Sequence, residues 1–245
     1  MKTYRHLAIT STLFLSLWTG HISLNQAQEQ EPKFMTAAER TSTIIDLEIL
    51  EEQAQSGDVR SQLRLGSMYR NGTTVARNTQ RAFYWFLQAA KSGHVLAQLR
   101  VAKMFQEGIG IDKNDRSAFE WISHAAQSRH VDALTHMGKM LQHGIGTPTN
   151  VPRAFEVFLD AAQQGQTEAQ NHVADMLWEG LGIPQDRLQA LRWYEASVNQ
   201  GNVDAKNTLG ILYLQGEGVA KNTERGLELI IGAASDGHPA AFHNL

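Results

Sequence analysis

Residues 106–121 read QEGIGIDKNDRSAFEW, and the fold turns on what the Gly-x-Gly at Gly108 and Gly110 is for. Such a turn cradles a phosphate when a strand precedes it and either a third glycine or a Gly-Lys-[Ser/Thr] ending follows. Neither accompanies it here. The same loop returns as LQHGIGTPTNVPRAFEVF (141–158), WEGLGIPQDRLQALRWY (178–194) and LQGEGVAKNTERGLELI (214–230), with a looser copy, YRNGTTVARNTQRAFYWF, at 69–86. A motif that recurs along the chain belongs to the architecture, so the stretch is a repeat element and not a nucleotide site.

Working outward, Gly57, Gly93, Gly165, Gly201 and Gly237 fall on one grid of 36 residues, with Arg129 at the remaining grid point. With Asp58 as position one, position four reads Ser61, Ala97, Ala133, Ala169, Ala205 and Ala241, and position fifteen reads Gly72, Gly108, Gly144, Gly180 and Gly216. Positions four, eight, eleven and twelve are apolar or small, the i, i+4, i+7, i+8 stripe of an amphipathic helix, here termed helix A. A second stripe at positions 25, 26, 28, 29, 32 and 33, as in Ala118, Phe119, Trp121, Ile122, Ala125 and Ala126, defines helix B. The expected spans are 59–71 and 79–91, repeated every 36 residues. Glycine at position fifteen stops helix A with positive φ. Position 21, which is Asn78, Asn114, Asn150, Asp186 or Asn222, caps helix B.

Small residues at position nine (Gly66, Ala102, Gly138, Ala174, Gly210) and the Ala pairs at positions 32 and 33 allow close helix approach. A lone hairpin cannot bury its stripe, and stacked hairpins share one quasi-one-dimensional core. Met104, Phe105, Trp121 and Ala125 are expected in it. The predicted fold is therefore all-α: an α-solenoid of five antiparallel hairpins at 58–93, 94–129, 130–165, 166–201 and 202–237. Residues 28–57 form an N-terminal segment and capping helix, and 238–245 begin a sixth helix A as a C-terminal half-hairpin.

Residues 1–27 carry a basic start (Lys2, Arg5), an apolar run LAITSTLFLSLW and a cleavable NQAQ, the pattern of a secretory signal. Without them the chain has 20 Lys and Arg against 25 Asp and Glu, a net of −5 that opposes nucleic-acid binding. No later segment is apolar enough to span a membrane. Cysteine is absent, so an exported chain must rely on packing alone. Export to a bacterial periplasm or beyond is the expectation.

A hairpin with an Ala-x-x-x-Leu-Gly-x-x-Tyr-x-x-Gly first half, as in AKNTLGILYLQGEGVAKN (205–222), and a Trp-Tyr-x-x-Ala-Ala second half, to which RWYEASVNQG (192–201) is a near match, resembles the Sel-one-like repeat, a relative of the tetratricopeptide repeat. Arg129, Ser197 and Val198 depart from the pattern. The resemblance implies a scaffold or adaptor for protein complexes and no catalysis. The cysteine-rich branch of that family is excluded by composition.

No Ser, His and Asp constellation assembles, and no catalytic, cofactor-binding or metal-ligating residue is assigned. His94, His130 and His238 share position one and read as repeat-boundary residues; His136 and His172, at position seven with Arg64 and Arg100, read as a solvated polar edge. Asn71 in NGT reads as the end of helix A and not as a glycosylation site. Turning helix A by 100° per residue places positions six, ten and thirteen opposite the core stripe. There Asn171, Asp175 and Asn207 are polar, whereas Trp178, Ile211, Leu214, Leu63 and Leu99 are apolar. In tetratricopeptide relatives the corresponding residues line a concave groove, which implies a protein or peptide partner held on this surface. The competing arrangement is a tight superhelix in which these side chains pack on the next helix. Two other roles fit the same residues: a secreted factor engaging a host or rival protein, and a cell-wall enzyme or its modulator.

Overall fold

The computed structural model describes residues 37–244, with side-chain environments from residue 46; the signal-like segment 1–27 and residues 28–36 lie outside the described residues. The N-terminal helix α1 (Ala37–Gln55) precedes five hairpins. These are α2 (Val59–Asn71) with α3 (Thr79–Lys91), α4 (Val95–Glu107) with α5 (Asp115–Gln127), and α6 (Val131–His143) with α7 (Val151–Gln163). Then come α8 (Thr167–Glu179) with α9 (Arg187–Asn199), and α10 (Val203–Gln215) with α11 (Thr223–Ser235). Among the described residues there is no strand, and each helix packs on its chain neighbours. The spacing of 36 residues runs unbroken, as the all-α solenoid reading required. At the C-terminus the expected sixth helix A is a short 3₁₀ helix, Pro239–His243. Five residues are too few to close more than the first i→i−4 hydrogen bond, so the tighter turn prevails.

The caps follow the residue types. Asn78, Asn114, Asn150, Asp186 and Asn222 each accept a hydrogen bond from the backbone N–H three residues on. Gly72, Gly108, Gly144, Gly180 and Gly216 end each helix A at φ between 68° and 73°. The position-one histidines also prove to be caps: Nδ1 of His94 accepts from the Ala97 N–H and Nδ1 of His238 from the Ala241 N–H, whereas His130 makes no such bond.

The second glycine of each Gly-x-Gly has a different task. A Cβ on Gly110 would lie 2.1 Å from the Thr79 carbonyl oxygen, and one on Gly146 would lie 2.0 Å from that of Asp115. Gly182 meets Val151 and Pro152 in the same way. The loop of one repeat thus sits on the first turn of the preceding helix B. The boundary glycines contrast with this. Nothing lies within 4 Å of a Cβ on Gly57, Gly93, Gly165, Gly201 or Gly237. Their positive φ alone selects glycine, so Arg129 can take the grid point at φ 54° and direct its guanidinium to Asp160.

The core is built on a small-against-large match within each hairpin. Gly66 lies under the Phe86 ring and Gly138 under Phe158, where an added Cβ would come within 2.6 Å of ring carbon. Phe86, Ile122, Phe158 and Ile230 are buried, as are the position-four alanines. Met104 and Ala125 are buried as expected, while Phe105 and Trp121 are only partly so. Leu99, Phe105, Phe119 and Met137 bridge neighbouring buried clusters, which joins the hairpins into a continuous core.

One linking device was not read from sequence. Gln62, Gln98 and Gln170 at position five are buried, and each donates from Nε2 to the carbonyl of Ala54, Ala90 or Ala162 at the end of the preceding helix B. Each of these carbonyls also accepts from the N–H of the boundary glycine, Gly57, Gly93 or Gly165, so the glutamine adds a second donor that links one repeat to the next. Leu134 occupies this position in the third repeat.

Candidate functional site

The helix A positions opposite the core stripe divide into two halves that behave differently. In the fourth and fifth repeats they are closed. Trp178 is 7% exposed; Gly218 of the next loop seats against its six-membered ring, and the Arg187 guanidinium lies 4.7 Å from the ring centre. Asn207 is buried and accepts from Asn244 Nδ2 at 2.9 Å. Ile211 and Leu214 pack against the cluster of Ile230, Ala233, Ala234 and Ala241. This corrects the expectation that Trp178 and Asn207 point away from the core. The following loop lies against Trp178 and the C-terminal turn against Asn207, and an indole this large fills the space a ligand would need. Trp178, Asn207, Ile211 and Leu214 are therefore packing residues, as in the tight-superhelix arrangement.

Asn171 and Asp175 belong to a small polar cluster beside them. Asn171 Nδ2 donates to Asp175 Oδ2 at 3.3 Å, and the Tyr194 hydroxyl donates to Asp175 Oδ1 at 2.7 Å. Burial pushes the Asp175 carboxyl up to about 6, partly opposed by the Tyr194 hydrogen bond, and burial likewise raises the Tyr194 phenol. Asn171 Oδ1 is buried without a partner. The cluster ties helix A to helix B within the fourth repeat.

Around helix A of the second repeat, between its neighbours on either side, the same face is open. A groove of about 670 Å³ runs along it, with Leu96, Leu99, Met104 and Ile109 supplying apolar surface. Leu99 is half-buried and Leu96 is 59% exposed. Leu63, also half-buried, packs instead into the cluster of Leu65, Phe86 and Val101 and does not line this groove. Four cationic side chains, Arg70, Arg77, Arg100 and Lys103, stand around it, with Glu107 and Asp132 the acidic members. Lys103 is 3.6 Å from Glu107. Arg100 reaches it from the middle of α4, its guanidinium 4.7 Å from the Phe86 ring centre. His172 covers Phe158 two repeats later in a stacked arrangement at 4.5 Å. Position seven is thus a lid over the preceding repeat's aromatic wherever that residue is Phe, and Arg64 and His136 are left exposed. No sequence period distinguished the two pairs, because both kinds of residue are polar.

The reason for the open half lies in residue type. Long charged side chains at positions ten and thirteen cannot be buried without partners, so Arg70 and Lys103 stay extended where Trp178 folds into the gap. Burial, with the nearby Arg70 charge, lowers the proton affinity of Arg100. Among the described residues no group of three His, Asp or Glu converges as a metal site. No helix among them is long and apolar enough to cross a membrane.

An unbroken stack of short antiparallel hairpins, with an open face on helix A, defines a helical-repeat solenoid of the protein-interaction class. The family model for the Sel1 repeat matches residues 59–94, 95–130, 131–166, 167–202 and 203–238. The chain belongs to the Sel1 repeat family, whose members are typically scaffolds for protein–protein interaction. It is similar to the structure of c5321, a protective antigen present in uropathogenic Escherichia coli strains displaying an SLR fold. That match has 31% identity and a TM-score of 0.77, over 81% of this chain and 43% of the antigen, so the chain spans less than half that protein's length. It is also similar to a Sel1 repeat protein from Oxalobacter formigenes, at 26% identity and TM-score 0.71 over 82% of this chain and 84% of that one. No curated protein matches the chain.

Proposed function

We propose that this protein is a non-enzymatic scaffold of the bacterial cell envelope that holds a segment of a partner protein against the helix A face of its first three repeats. The observation that carries the reading is the open groove with Leu96, Leu99 and Ile109 at its surface, on a solenoid whose fourth and fifth repeats fill the corresponding positions with their own side chains. Apolar side chains left in water on a concave face are the usual seat of a docked segment. Placement in the envelope follows from the signal-like residues 1–27.

A photo-activated cross-linking residue placed at Leu96 or Leu99 tests the reading in cells, with the same residue at Tyr84, exposed on α3, as the reference. One product of defined mass is expected from the groove positions and none from Tyr84. Leu96→Asp should abolish that product with an unchanged melting temperature. Equal capture from both faces would refute a groove-bound partner, and cell fractionation of the product tests the envelope placement.

A further inference from the structure

The groove is more specific than an apolar seat. The whole chain has a formal net charge of −3, yet Arg70, Arg77, Arg100 and Lys103 gather at one cavity against two carboxylates. Among the described residues, Arg70, Arg77 and Arg100 have no acidic side chain within 4 Å, as is also true of Arg60, Arg64, Arg81 and Arg192, but these three share one cavity with Lys103, whereas Arg129, Arg153, Arg187 and Arg225 are each paired. Arg100 is partly withdrawn from water beside Arg70, an arrangement in which like charges repel at reduced screening. Such repulsion is relieved by an anion that enters between them. Guanidinium groups present paired N–H donors that match a carboxylate, and a small inorganic anion would leave Leu96, Leu99 and Ile109 uncovered.

We infer that the groove of the first three repeats is selective for an acidic peptide segment, whose Glu or Asp carboxylates pair with Arg70, Arg77 and Arg100 while its aliphatic side chains cover Leu96, Leu99 and Ile109. The inference rests on the scaffold reading above and adds the chemistry of the partner. Arg70 and Arg77 are the outer ligands, exposed at the end of α2 and in the following loop. Arg100 is the inner one, held by its stacking on Phe86.

Fluorescence anisotropy with a short labelled peptide of Glu and Leu, and a counterpart with Gln for Glu, tests this on the mature chain. The Glu peptide should bind about tenfold more tightly at low salt, with the advantage shrinking as salt rises. Arg70→Gln with Arg77→Gln should remove the difference between the peptides, while Arg116→Gln on α5 should leave it. Equal binding of the two peptides, or full selectivity in the double variant, overturns the inference. So does displacement of the peptide by inorganic phosphate or a single-stranded oligonucleotide at concentrations comparable to the unlabelled peptide, since the site would then serve a small anion or nucleic acid. Cross-linking from Leu96 that persists when both peptides bind equally would leave the scaffold reading standing and remove only the acidic preference.

Discussion

Replacing Gly146 by alanine separates the two jobs glycine does in this chain, with Gly165→Ala as the comparison. Gly165 has φ +88° and open space where a Cβ would go, so alanine there meets only the left-handed backbone cost of roughly 1 kcal/mol. Gly146 has φ +68°, and its Cβ would stand 2.0 Å from the Asp115 oxygen and 2.4 Å from its carbon. Ordinary contact begins near 3.4 Å, so the third repeat's loop must retreat by roughly 1.4 Å from the first turn of α5. Both sides of that contact are backbone, and no side chain can swing away. Overpacking of this kind costs about 1–3 kcal/mol beyond the backbone term, for a total of about 2–4 kcal/mol. Urea unfolding followed by circular dichroism should show a midpoint loss for Gly146→Ala two to four times that for Gly165→Ala, an order-of-magnitude expectation from these costs. Equal losses would refute the claim that the second glycine of the Gly-x-Gly serves inter-repeat contact. Neutral Gly165→Ala together with a large Gly146 effect would leave it intact.

Phe158→Ala, which empties the fully buried space between Gly138 and His172, should cost about 3–5 kcal/mol. Gly138→Ala should destabilise the parent but do less harm in that background, as a double-mutant cycle in urea would show. Asp175→Asn addresses pH. The folded carboxyl is raised to about 6 from an ordinary 3.8, so its contribution is favourable below pH ~4 and is lost as pH rises through ~6. At pH 7 the Asn variant should be more stable by about 1–3 kcal/mol, since its amide keeps an acceptor for Tyr194 and offers Asn171 Oδ1 a donor. Melting curves of both proteins across pH 4 to 7 should converge at the acid end. Arg129→Gly relieves a positive φ at the loss of a surface ion pair with Asp160, and a melting temperature higher by a few degrees is expected.

The repeat was legible because every copy solves the same local problem. Asn114 or Asp186 can cap a helix, and Gly108 or Gly180 can end one, whatever lies nearby, so these residue types report their structure directly. Stripe periodicity likewise marks Ala97, Val101, Ala125 and Ile122 as core, and all four are buried. The candidate site was not legible in that way. Positions six, ten and thirteen share one angle around helix A, and that angle is all a single helix can specify. Whether the face is open depends on what the next repeat lays over it. Gly218 closes on Trp178 and Asn244 on Asn207, while Arg70, Arg77 and Lys103 keep the first repeats open because their charges resist burial. Local hydrogen bonding and periodicity are encoded within some 36 residues, but the gap between stacked hairpins is set by side-chain volumes and charges brought together from two or three repeats. Only the tertiary structure assembles those, and with them the groove.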